Sequence, residues 1–231
     1  MSRPQDHFVD ISTLSATELN SELALACSGR SSFSPRQLLA AGACANAIDS
    51  SGSPALLIAA WDGRASAIEA LLAHGADPRQ CNHLGMTPLM AAARSGSAPC
   101  AALLLEGSNP LASDNFGLTA LMAASSAQSA DCCALLAPCS NPMAISHMGS
   151  TACCMAAANG ALACFKILMP SPRDARRKKE LGDAFVFARS SGHEEIACLA
   201  AAALLSMDDF AGLAGQCPPT PMSSREAVQR L

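Results

Sequence analysis

Twelve cysteines and five histidines are the side chains of this 231-residue chain best equipped for chemistry. Cysteine offers disulfide formation, thiolate attack or metal ligation, and histidine offers proton transfer or ligation. Their spacing supports little of this. No C-x-x-C pair, H-E-x-x-H, G-x-S-x-G or G-x-x-x-x-G-K-[ST] sequence occurs. His74 closes the run LLAHGAD, where an imidazole favours the negative end of a helix. His83 and His147 fall on turns as lone histidines, without the carboxylates or third ligand that a metal centre needs. No catalytic group, metal or cofactor is therefore expected. The thiols best placed to react are Cys81 and Cys139 in turns and Cys217 near the C-terminus, so a thiol-based redox-responsive regulator is one functional reading.

The elements that would hold these residues are periodic. The stretch GMTPLMAAARSG, Gly85 to Gly96, recurs upstream as GSPALLIAAWDG (Gly52 to Gly63) and downstream as GLTALMAASSAQ (Gly117 to Gln128) and GSTACCMAAANG (Gly149 to Gly160). Each copy leads into an apolar run and a turn, whose prolines Pro78, Pro110 and Pro142 stand thirty-two residues apart. Thr87 caps a helix and Pro88 starts it, because the hydroxyl satisfies an orphan amide and proline has none to satisfy. Leu89, Ala92 and Ala93 face inward, and Gly96 turns the chain towards a second helix. Gln128 occupies that turn position in a later copy, so the turn there is strained or differently shaped.

The pattern G-x-TPL-x-x-AA-x-x-G followed by LL-x-x-GADP resembles the ankyrin repeat, a β-turn plus two antiparallel helices in about 33 residues. The histidine usual after Thr-Pro-Leu is replaced by Leu57, Met90, Met122 and Cys154, so its hydrogen bond is absent. The resemblance implies an all-α solenoid of about six stacked helix-turn-helix units joined by β-turn fingers, with degenerate end caps. The expected division is a lead-in over 1–17, repeats over about 18–46, 47–79, 80–112, 113–144, 145–170 and 177–202, and a tail over 203–231. Ser34 and Pro35 start the second helix of the first unit. FVFARSSGHEEIACLA forms a closing helix pair without a normal finger, and His193 stands where the family commonly has histidine.

In that register Cys100, Cys132 and Cys164 form a column on successive second helices. Stacked helices lie roughly 8–10 Å apart, beyond the roughly 7 Å that a disulfide spans between Cα atoms. These thiols read as small buried hydrophobes in a reducing compartment.

Charge and hydropathy narrow the class further. A net charge of −4 and a pI near 5.7 argue against a general nucleic-acid binder. MSRPQDHFVD lacks the apolar core of a signal peptide, and Cys198 to Met207 falls short of the roughly 20 residues that span a bilayer. A cytoplasmic protein without membrane attachment is expected. Five basic residues between Arg173 and Lys179 are expected in a solvated loop, with nuclear import through Arg176 to Lys179 and contact with an acidic partner as the rivals.

The resemblance also implies a function: ankyrin proteins hold other proteins on the concave surface made by turn tips and first helices. Transferred by position, the candidate partner-binding residues are Trp61, Asp62, Arg94 and Asn159 on the helices. On the tips they are His83, Leu84 and Met86, then Asn115, Phe116 and Leu118, then His147 and Met148, with Ser50, Ser51, Ser53 and Ser150 beside them. Trp61, the single tryptophan, either anchors a partner or lies flat over the next repeat. Leu84, Phe116 and Met148 make an apolar stripe or pack tip against tip. The expected protein is a monomeric, non-enzymatic scaffold or adaptor for a partner protein. A translocated effector that targets a host protein is the alternative.

Overall fold

The computed structural model describes residues 10–169 and 175–205. After a 3-10 turn over Ile11–Thr13, twelve α-helices follow in six consecutive pairs. They are α1 (Ala16–Cys27) with α2 (Pro35–Ala40), α3 (Ala55–Trp61) with α4 (Ala65–Ala73), and α5 (Pro88–Ser95) with α6 (Ala98–Leu105). Next come α7 (Ala120–Ser126) with α8 (Ala130–Leu136), α9 (Ala152–Ala158) with α10 (Leu162–Leu168), and α11 (Ala175–Ser190) with α12 (Glu194–Leu205). Between the first five pairs the chain makes hairpin-like fingers, two of which carry isolated bridges, Ile48 to Pro54 and Ser113 to Thr119.

Local sequence sets where the helices begin. The Thr87, Thr119 and Thr151 hydroxyls accept from the amides of Met90, Met122 and Cys154 at 3.3, 3.4 and 3.3 Å. Pro54 holds the matching place before α3, which has no side-chain cap. Ser34 caps α2 in a reciprocal arrangement with Gln37, directly before Pro35, as the sequence indicated.

The first helices of the pairs form one row, each packed on the next from α1 to α11, and the second helices form another from α2 to α12. Leu56, Leu89 and Leu121 are buried at equivalent places between rows, followed by the small pairs Ala59–Ala60, Ala92–Ala93 and Ala156–Ala157. Small side chains there let neighbouring helices approach. In the fourth pair Ser125 stands for the second alanine, and its hydroxyl donates to the Leu121 carbonyl at 2.9 Å, so this buried group has its partner.

Cys100, Cys132 and Cys164 are buried, and none of the described cysteines forms a disulfide. Burial pushes the Cys27 thiol up to about 12, against the opposing pull of the Arg64 charge. It raises Cys132 and Cys154 as well. All of them lie within the continuous apolar core.

Gln128 adopts φ 59°, the one described non-glycine residue with positive φ. The turn keeps the shape glycine gives elsewhere, and its side-chain amide donates to the Asn159 carbonyl at 2.6 Å in the next unit.

The basic cluster is where the structure departs from expectation. Residues 175–179 form the first turn of α11, not a loop. Alanine, arginine and lysine are strong helix formers, and this turn continues into the buried Leu181, Ala184, Phe185 and Ala188. Arg173 and Cys217 lie outside the described residues. Among the described residues no helix is long and apolar enough to cross a membrane.

Candidate functional site

Each finger is built on one side chain near its base. Asp49 Oδ1 accepts from the amides of Ser51 and Ser53 at 2.9 and 2.8 Å, and Asn82 Oδ1 from Leu84 and Met86 at 3.0 Å each. Asp114 Oδ1 repeats this with Phe116 and Leu118 at 2.9 Å each, and Ser146 Oγ accepts from Ser150 at 3.2 Å. These are side-chain turns that fold a tip without help from its neighbours. Sequence reasoning missed them, although positions 49, 82, 114 and 146 keep the period and carry only Asp, Asn or Ser. Burial pushes the Asp49 carboxyl up, but hydrogen bonds from Ser51 and Ser53 outweigh it and hold the group below its ordinary value.

Adjacent tips are then joined through main chain. The Asn115 amide donates to the Leu84 carbonyl at 3.0 Å and the His147 amide to the Phe116 carbonyl at 2.9 Å. Asn115 adds a side-chain bond to the His83 carbonyl at 3.2 Å. Leu84, Phe116 and Met148 thereby stand in a row, 37%, 54% and 88% exposed. His83 and His147 are exposed beside them. Met86 and Leu118 differ from the expected projecting contacts: both are half-buried and packed on the core.

Trp61 is neither fully covered nor free of its neighbours. It is 45% exposed, and the Arg94 guanidinium of the next unit lies 5.5 Å from its ring centroid, within cation–π range. Asp62, the last-turn cap of α3, is exposed next to it. Asn159 is exposed too, but its side chain donates back to the Met155 carbonyl at 2.8 Å. Trp61, Asp62, Leu84 and Met86 line one groove of about 710 Å³, whereas Phe116, His147, Met148 and Asn159 lie outside it. The rest of the lining includes Leu25 and Arg30 from the first unit and Ile48 from the first finger. Sequence reasoning missed that half, because the first unit departs most from the repeat pattern.

Among the described residues no three His, Cys, Asp or Glu side chains are placed to hold a metal ion. His74 Nδ1 lies 2.8 Å from the Ala70 carbonyl and His193 Nε2 lies 3.2 Å from the Ala158 carbonyl, which fits structural roles for both. Cys81 is exposed, while Cys139 is half-buried with its thiol directed at the carbonyls of Leu135 and Leu136.

A family model for ankyrin repeats matches the chain in three copies, over residues 56–146 and 103–179. Together these cover more than half of the sequence. The chain belongs to the ankyrin repeat family. No curated protein matches it significantly. Ankyrin repeats are in general protein–protein interaction modules, and the ankyrin units here present exposed side chains on fingers and first helices over a continuous buried core.

Proposed function

We propose that this ankyrin array is a non-enzymatic scaffold that captures a partner protein on its fingers and first helices. The observation that carries this reading is the run of exposed apolar side chains, Trp61, Leu84, Phe116 and Met148, held on backbone that is already hydrogen-bonded in place. A preformed surface loses little conformational entropy on binding, so exposed apolar area converts into affinity with small ordering cost. Recognition then uses shape and apolar contact and involves no bond making. The candidate contacts are the twelve residues named from sequence, with Met86 and Leu118 as floor rather than projecting anchors. A monomer acting in the cytoplasm, without nucleic acid or cofactor, completes the proposal.

The test is capture by the full chain after crosslinking, with mass spectrometry of what is bound. Trp61→Ala should lower recovery of the main captured protein several-fold and leave helix content unchanged. Equal recovery with Trp61→Ala and with Phe116→Ala would overturn the assignment of this surface, and turnover of any substrate by the isolated chain would overturn the non-enzymatic reading.

A further inference from the structure

Four buried thiols lie where the second helices of the third to fifth units stack. Cys100 on α6, Cys132 on α8 and Cys164 on α10 keep one place in successive units. Cys133 is an extra thiol, since Ala101 and Phe165 hold its place in the units on either side. All four are fully buried, and α8 packs on both α6 and α10. Cys133 Sγ lies 3.7 Å from the Ser125 hydroxyl, and the Cys133 thiol is hydrogen-bonded to that of Cys164. The spacing that bars disulfides within the column does not bar this pair. Equivalent places on stacked helices stay a full interaxial distance apart, roughly 8–10 Å. With Cα atoms on a radius of about 2.3 Å, places that face each other across the interface come to about 5 Å at the wider spacing. That is inside the range a disulfide spans.

The contact also divides the roles of the two sulfurs. The hydrogen bond with Cys164, with burial adding to it, pushes the Cys133 thiol up, so Cys133 keeps its proton. The same bond from Cys133 holds the Cys164 thiol below its ordinary value against burial. Burial raises Cys27, Cys132 and Cys154 instead. A thiol with thiolate character beside a protonated second thiol is the arrangement of an attacking and a resolving cysteine.

We infer that Cys133 and Cys164 are a redox-active dithiol, which hydrogen peroxide oxidises to a disulfide joining the fourth and fifth units. The Cys164 sulfur attacks a peroxide oxygen and the O–O bond breaks, leaving a Cys164 sulfenic acid and a hydroxide that the proton lost by Cys164 turns into water. The Cys133 sulfur then attacks the Cys164 sulfur, the S–O bond breaks, and the Cys133 proton leaves with that oxygen as a second water. Two electrons pass from the sulfurs to the peroxide. Because both sulfurs are buried, peroxide meets them when the joint between the two units opens, and arrays held by nearest neighbours open locally. Once formed, the bond closes the loop between residues 133 and 164 and opposes that opening. Thiol reductants of a reducing compartment reverse it by exchange. The exposed Cys81 takes no part.

The experiment treats the full chain with hydrogen peroxide, alkylates the remaining thiols and cleaves after methionine, which separates residues 123–143 from residues 156–169, where Cys164 is the only cysteine. The expected product is these two peptides joined, with Cys132 and Cys139 alkylated, and a reductant should release them. The junction should persist in Cys132→Ala and be lost in Cys133→Ala, which installs the residue the third unit carries at that place. Oxidation should raise the denaturant midpoint of the wild-type chain and leave that of Cys133→Ala where it was. Cys164 joined to Cys132 or Cys139 overturns the inference, as does Cys164 recovered alkylated after peroxide treatment. A junction without a midpoint shift overturns the claim that the bond holds the two units together. Partner capture is read separately, so none of these outcomes tests the scaffold reading.

Discussion

The two ends of the fourth-to-sixth helix-pair segment join their neighbours in different ways. Between the fourth and fifth units the joint at the finger end is main chain: the His147 amide meets the Phe116 carbonyl, and the tip of one finger rests on the next. Between the fifth and sixth units α11, which begins at Ala175, packs on α9. There the joint is a buried side-chain hydrogen bond, from the Thr151 hydroxyl to Glu180 Oε1 at 2.7 Å, with the Cys154 thiol 3.8 Å from the Glu180 carbonyl. A finger joint tolerates most side chains. The terminal joint adds one carboxylate, only 6% exposed, to the apolar packing of α11 on α9.

The largest expected effect therefore lies at the terminal joint. Glu180→Ala leaves the Thr151 hydroxyl buried without this acceptor, which costs about 2–3 kcal/mol. Because repeat arrays are stabilised by nearest neighbours, the loss should appear as opening of α11 and α12 ahead of the rest. Cys154 supplies a local reporter. Burial raises its thiol, so it stays protonated and shielded in the closed array, and its labelling rate measures opening of this joint. Faster Cys154 labelling in Glu180→Ala, with Cys81 labelling unchanged, is the expected outcome. Unchanged Cys154 labelling would show that the joint is held by other contacts.

The finger joint has its own control built into the repeats. Gly117 and Gly149 occupy the same finger position with φ of 74° and 77°. A methyl group at Gly117 would sit 3.0 Å from the His147 amide nitrogen, whereas at Gly149 it would meet nothing within 4 Å. Gly149→Ala should cost the left-handed strain alone, about 1 kcal/mol. Gly117→Ala adds displacement of the next tip, for a total of about 2 kcal/mol. The difference between the two, read from denaturant unfolding of each variant, isolates the contribution of finger-to-finger packing. Equal costs would mean that the tips stack without supporting one another.

How much of this was legible in the sequence follows from what kind of contact each feature uses. The helix pairs, the buried Leu56, Leu89 and Leu121, and the thiol column were all readable, since each is set by side-chain size recurring at one period. Finger bases were encoded but overlooked, because Asp49, Asn82, Asp114 and Ser146 share hydrogen-bonding capacity and no common residue type. The helical fate of residues 175–179 was misjudged because charge outweighed propensity in the expectation, although alanine, arginine and lysine favour helix once an apolar face follows. The Arg94 contact with Trp61 and the Thr151 bond to Glu180 join residues 33 and 29 positions apart, and their geometry needs three dimensions.

The smallest stability effect is expected at an exposed aromatic ring. Phe116 is 54% exposed, and its contribution to the joint is its carbonyl, which an alanine keeps. Phe116→Ala should therefore change unfolding free energy by less than about 0.5 kcal/mol, the scale of a surface substitution. Its effect belongs instead on partner capture, where loss of an aromatic anchor commonly costs more than 1 kcal/mol. Measured together with Gly117→Ala, this separates the two jobs of the finger. One variant weakens the joint and spares the exposed ring, and the other removes the ring and spares the joint. A drop in melting temperature with Phe116→Ala comparable to that of Gly117→Ala would mean the ring is a structural part of the tip, and that the apolar row from Leu84 to Met148 exists to hold the fingers together.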